Sequence, residues 1–272
     1  MKKILVATDF SPAATNAANY ATDLAMALHA DLFLLHVTNV PVSFSEISVV
    51  LTEGELIRDA EKRMQDLKEE LSKQTKNKIN IETEVSTGVF FQSLKETCDK
   101  LKPYAVVIGA QGKSAVERMF FGEHASYAMR HLTWPLIAVP SGLKYSLIKK
   151  IGLASDFDHV IETMPLEEIK TLVTDFHAEL HVLNTGRKQI YDPEIVFQSG
   201  LLQEMFLALK PEYHFIASED VDEGIIEFAD QHHIDLLIVL PKRHSLIDRM
   251  VHTSHTKQFV MYSHIPVMAL HQ

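Results

Sequence analysis

Apolar and polar positions along the chain follow two rhythms. Largely apolar runs at Lys3 to Thr8, Leu32 to Val37, Ala105 to Ile108 and Pro135 to Val139 suit strands buried on both faces. Between them apolar residues recur every three or four positions, the spacing of one helix face. Ala14, Ala17, Ala18, Ala21, Leu24, Ala25 and Leu28 form one such set, ending near His29. Leu56, Ala60, Met64, Leu67 and Leu71 form another, from Glu53 to about Lys73. Ser11 before Pro12 is an N-cap and first-turn pair that starts the first helix. Ile79, Ile81, Thr83 and Val85 alternate, so the third strand has one exposed face or lies at an edge. Gly88 leads into a helix to about Leu101, and a further helix runs from Glu123 to about Leu132. The order β-α-β-α-β-α-β-α-β predicts a parallel sheet with right-handed crossovers and helices on both faces.

The second half repeats the first. KILVATDF at 3–10 returns as KIGLASDF at 150–157, and DLFLLHV at 31–37 is echoed by AELHVLN at 178–184. YAVVI at 104–108 matches DLLIV at 235–239, and WPLIAV at 134–139 matches IPVMAL at 265–270. Repetition at this period means two copies of one domain. The expected units are residues 1–142 and 148–272, joined near Ser141 to Leu147 by a link short enough to keep them packed together.

Composition narrows the function classes. A 272-residue chain with 46% hydrophobic and 23% charged residues has ample material for a core. A formal net charge of −10 argues against a nucleic-acid or anionic-membrane surface, which needs concentrated positive charge. No apolar run reaches membrane-spanning length, and Thr8 and Asp9 stop the first run too early for a signal peptide. The single cysteine, Cys98, reads as a small core residue; with no partner for a disulfide, a reducing, cytoplasmic location is expected.

The chemistry concentrates in AVVIGAQGKSAVERMFFGE at 105–123. A buried strand, Gly109, Gly112, a loop, Gly122 and a helix start make an anion cradle, because loop and first-turn N–H groups lack partners. In an open parallel sheet, ligands sit beyond the strand carboxyl ends where the winding reverses. If strands one and four flank that reversal, Asp9 faces the glycine loop and could accept from a ribose or amino group. Lys113 and Arg118 would assist with phosphates. Asp9 equally suits a cap for the Ser11–Pro12 turn. Gly112-Lys113-Ser114 looks like the end of a P-loop, but that motif needs a glycine where Val107 stands.

These features together resemble a tandem universal stress protein over essentially the whole length. The nucleotide-binding branch of that family follows its fourth strand with Gly, two residues, Gly, nine residues, Gly, then Ser or Thr. Gly109, Gly112 and Gly122 keep that spacing, and Asp9 matches the first-strand aspartate. The resemblance implies two open five-stranded sheets of order 3-2-1-4-5, paired through their fifth strands as an internal pseudo-dimer, with further homodimerisation open. It implies an ATP site on Ala7, Thr8, Asp9, Val37 beside adenine, Gly109, Gln111, Gly112, Lys113, Gly122, Glu123 and His124. Glu123 departs from the pattern, since it stands where a hydroxyl would cap the helix and donate to phosphate. Its carboxylate either occupies the anion position, favoured there by roughly 0.3–1 kcal/mol, or holds a phosphate-bound Mg²⁺. In the second half Leu240, Arg243, Thr253 and Ser254 replace the motif and only Asp156 persists, so ATP is not expected there.

Three readings follow. The first is a stress-associated regulatory protein with an adenine-nucleotide site in its first half. The second is a protein–protein scaffold with Glu123 filling the phosphate position and a partner of unknown identity. The third, a weak nucleotide hydrolase, ranks last because no nucleophile, base and orienting group can be assembled, and no catalytic role is expected. His232, His233, His244, His252, His255 and His264 invite a metal reading, but surface histidines are the expectation and no metal is predicted.

Overall fold

The computed structural model describes residues 1–38, 53–110, 124–157, 160–185, 193–218, 220–241 and 255–271. The first half runs β1 (Lys3–Ala7), α1 (Pro12–Leu28), β2 (Asp31–Thr38), α2 (Glu53–Gln74), β3 (Ile81–Thr87), α3 (Phe90–Leu101) and β4 (Ala105–Gly109). It ends with α4 (124–131) and β5 (Leu136–Val139). The second half runs β6 (Lys150–Ala154), α5 (Val160–Thr163), α6 (Leu166–Phe176), β7 (Glu179–Thr185), α7 (Pro193–Met205) and β8 (Glu212–Ile216). It closes with α8 (Val221–Gln231), β9 (Leu236–Val239), α9 (His255–Tyr262) and β10 (Val267–Ala269).

All ten strands form one sheet in the order β3-β2-β1-β4-β5-β10-β9-β6-β7-β8. Each half therefore has the 3-2-1-4-5 order, with parallel pairing inside it. The halves meet through β5 and β10, which pair antiparallel with Ile137 level with Met268. Two fifth strands that would each be an exposed apolar edge thus cover one another, as an edge strand requires. The alternating third strand lies at an outer edge, as its sequence predicts.

Two apolar layers, one on each face, both run through both halves. Ile4, Val6, Val107, Ile151, Leu153 and Met268 belong to the layer under α1, α2, α6 and α7. Leu5, Ala7, Leu35, Val106, Leu237 and Val267 belong to the layer under α3, α4, α8 and α9. Polar ties reinforce the join. The Tyr104 hydroxyl donates to Asp175 at 2.8 Å, Lys2 pairs with Asp175 at 2.6 Å, and the His271 ring bonds the Met129 carbonyl at 2.8 Å. The link is pinned to α1 by Asn16, whose amide donates to Pro140 and Leu143 carbonyls at 3.1 Å each.

Ser11 caps α1 as expected, its hydroxyl accepting from Ala14 N at 3.2 Å, with Pro12 in the first turn. The counterpart in the second half is broken into the four-residue α5 and the later α6. Pro165 precedes α6, and a proline cannot continue the helix before it. Cys98 is fully buried, and burial pushes its thiol up to about 12, so it is a core residue.

Candidate functional site

The winding reverses between β1 and β4, which pair with Val6 level with Val107. Asp9 and Gly109 therefore stand beyond or at the carboxyl ends of neighbouring strands. Ala7 belongs to the layer on the α3/α4 side, and Val37 packs against that layer two residues beyond Leu35, the register partner of Ala7. Ser86 lies level with Val37 on β3, and its buried hydroxyl has no hydrogen-bond partner among the described residues. Phe90, at the start of α3, meets the exposed ring of His124 edge-on at 5.5 Å. Gln111, Gly112, Lys113, Gly122 and Glu123 lie outside the described residues.

The end of β1 is held by its own side chains. Thr8 is buried, and its hydroxyl accepts from Phe10 N at 3.0 Å. Asp9 is exposed, and its carboxylate accepts from Ser11 N at 2.9 Å, the turn-capping role. Phe10 takes a left-handed φ of 63°, uncommon for a bulky residue and costing of order 1–3 kcal/mol. The ring of His36 lies 4.5 Å from that of Phe10, and its Nδ1 is 2.7 Å from the Thr8 carbonyl oxygen. A carbonyl only accepts, so Nδ1 carries the proton. The guanidinium of Arg63, on α2, stands over the Phe10 ring at 4.5 Å.

Gly109 has a different reason for being glycine than loop flexibility. A Cβ there would stand 2.8 Å from both the carbonyl carbon and oxygen of Ala13, in the first turn of α1. The group that approaches closely is this helix. At the matching position of the second half, Leu240 carries a side chain, and the helix that follows β6 is the short α5 rather than a long α1.

A family model matches the chain twice, over residues 1–140 and 148–271, and its description is the universal stress protein family. The chain belongs to that family. A universal stress protein of Methanocaldococcus jannaschii is 27% identical over 146 residues, covering 51% of this chain and 81% of the relative. One from Synechocystis is 24% identical and covers 98% of this chain and 99% of the relative. Among solved structures, a universal stress protein from Archaeoglobus fulgidus superposes with a TM-score of 0.73 at 16% identity, over 99% of this chain and 98% of that one. A second, from Pseudomonas aeruginosa, superposes at 0.65 with 13% identity, over 99% of this chain and 93% of the other. At these identities the structures support the fold, not the ligand.

Within this universal stress protein the strand-end arrangement occurs twice, and the sequence echo misaligns it by one residue. Lys3 is level with Asp31, whereas Lys150 is level with Glu179, so Asp31 matches Glu179 and not Ala178. A one-residue slip changes which side chains face which way. In the correct register His36 matches Asn184, whose amide donates to the Ser155 carbonyl at 2.8 Å, as His36 donates to that of Thr8. Phe157 repeats Phe10, with φ of 56° and its N–H donating to the Ser155 hydroxyl at 3.2 Å. Phe157 is buried where Phe10 is only half-buried. His36, Phe10 and Arg63 were not singled out by sequence motif; the recurring Thr-Asp-Phe and Ser-Asp-Phe was the available signal. Of the histidines singled out for metal, His232, His233 and His264 are exposed, His244 and His252 lie outside the described residues, and nothing is described of the His255 side chain.

Proposed function

We propose that this universal stress protein is a stress-associated regulatory protein that binds an adenine nucleotide, ATP by family resemblance, in the crevice of its first half and has no catalytic activity of its own. The observation that carries the reading is the reversal between β1 and β4, which brings Asp9 and Gly109 to neighbouring strand ends. That is where ligands bind in open α/β sheets. Val37, Phe90 and the Ser86 hydroxyl supply the mixed apolar and hydrogen-bonding wall a base requires, and the sequence spacing of Gly109, Gly112 and Gly122 supports contact with phosphates. Titration calorimetry of the full chain with ATP and Mg²⁺ tests it, in wild type and Glu123→Ser. Saturable micromolar binding by the wild type, strengthened or kept in the variant, is expected. Absence of binding in both sinks it.

A second reading, a scaffold without nucleotide, is favoured by two contacts. The Asp9 carboxylate already accepts from Ser11 N, and the space left by Gly109 is already taken by α1. Binding that appears only in Glu123→Ser would select the scaffold, with the Glu123 carboxylate standing in for phosphate. Phosphate release abolished by Asp9→Asn would instead select a hydrolase.

A further inference from the structure

The histidines that converge are not those the sequence offers in clusters. On β7 and β8, His181 lies level with Glu212 in a parallel pair, and residues two apart share a face. Glu179, His181, Glu212 and His214 therefore project on the same side, the side covered by α8. His181 Nδ1 and His214 Nε2 are 3.0 Å apart, and Glu212 Oε2 lies 3.6 Å from the first and 3.8 Å from the second. Three atoms at these separations are all about 2.0 Å from one common point, within the usual zinc–nitrogen and zinc–oxygen distances.

The setting of the His181 ring suits a cation at that point. His181 is 4% exposed, and its other nitrogen, Nε2, is buried with no hydrogen-bond partner among the described residues. That nitrogen faces Glu179 Oε2 at 3.7 Å. In the tautomer with its proton on Nε2, the His181 ring presents the Nδ1 lone pair towards His214 and Glu212. A carboxylate behind the ligating ring is the usual outer support of a metal-bound histidine.

The surroundings admit an ion. β8 is the outermost strand, and the side chains of His214 and Glu212 are 22% and 66% exposed, so the site opens to solvent at the sheet edge. The His214 ring rests against Phe228, 4.7 Å away, in the last turn of the eleven-residue α8, whose carbonyl end favours positive charge. Lys150 is the opposing charge nearby, and its ammonium is engaged by the His232 carbonyl at 3.3 Å.

We propose that His181 Nδ1, His214 Nε2 and Glu212 Oε2 form a binding site for a divalent transition-metal ion, zinc foremost, with a fourth position open to water. Two imidazoles and one carboxylate suit zinc better than magnesium or calcium, which prefer all-oxygen sets. The ion would staple β8, the edge strand, to β7 inside it. This site lies on the second half and is independent of the nucleotide reading.

Zinc titrated into the chelator-stripped full chain, in competition with a chromophoric chelator, provides the test. The wild type is expected to take up one tight equivalent. Glu212→Gln and His214→Ala should each weaken it by roughly a hundredfold, and Glu179→Gln by about tenfold. Glu212 and Glu179 are exposed, so their variants keep the fold even if a histidine variant does not. Cobalt in place of zinc should give the intense visible bands of a tetrahedral ion. No stoichiometric uptake by the wild type, uptake unchanged in Glu212→Gln, or an octahedral cobalt spectrum would overturn the assignment.

Discussion

Gly109→Ala separates two meanings of a glycine in a ligand loop. If the residue exists to let phosphate approach the backbone, the substitution weakens binding and leaves the ligand-free protein unchanged. The structure argues otherwise, because an added Cβ would stand 2.8 Å from Ala13 C and O and 3.1 Å from Ala14 N. Carbon contacts normally settle at about 3.5–4.0 Å, so the first turn of α1 would have to retreat by most of an ångström. Overpacking of this kind costs about 1–3 kcal/mol. The retreat also disturbs the Ser11 cap, worth about 1 kcal/mol. A loss of about 3 kcal/mol follows, roughly 6–12 °C in Tm for a chain of this size. Urea unfolding without nucleotide measures it, with Gly54→Ala as the control, since nothing lies within 4 Å of a Cβ there. A Gly109→Ala protein within about 0.5 kcal/mol of wild type, yet unable to bind nucleotide, would refute the packing argument.

Three further outcomes are expected. Met268→Asp puts a charge into the fully buried β5–β10 seam; it should cost several kcal/mol and expose the 140–149 link to limited proteolysis, and a variant as protease-resistant as wild type would contradict the shared core. Asn184→Leu removes the donor to the Ser155 carbonyl and should cost about 1–3 kcal/mol in chemical denaturation; a neutral result would mean that the carbonyl has another partner. Cys98 ionises near pH 9 when unfolded and near 12 when folded, so stability is full below pH 9 and falls as pH rises from there towards about 12. Alkaline unfolding of Cys98→Ala should be less steep over that window, and native Cys98 should resist thiol reagents at pH 8.

The repeat and the alternation of strands with helices were legible because buried strands and amphipathic helices carry strong patterns, whereas the strand order within each half and the pairing of the two fifth strands came from the resemblance to the family. The register between the two copies of the second strand was not. In a strand buried on both faces, shifting DLFLLHV by one residue against AELHVLN still sets apolar against apolar. Only the hydrogen bonds of His36 and Asn184 decide it. The reason for Gly109 was hidden for a related cause: the backbone it accommodates lies in α1, about a hundred residues earlier. The convergence of His181 with His214 depends on the pairing of β7 with β8, to which no spacing motif points.

The two halves serve as controls for one another. Both keep a hydroxyl residue before aspartate, a phenylalanine with positive φ, and a second-strand side chain donating to the carbonyl behind it. Only the first half keeps the glycine spacing. A strained phenylalanine retained where the glycines are gone cannot be there for the nucleotide. It belongs to the turn that ends the first strand, and Asp9, two residues from Ser11, is part of the same turn. The segment that distinguishes the halves is therefore 109–123, together with the helix that packs on its first glycine. In the second half Leu240 occupies that place and α5 stops after four residues, so the two halves differ there without any change at the strand-end aspartate. On this reasoning conferring on the second half the nucleotide binding proposed for the first would require rebuilding α5 and α6 into one helix as well as replacing Leu240, and Leu240→Gly alone would gain no affinity in a nucleotide titration.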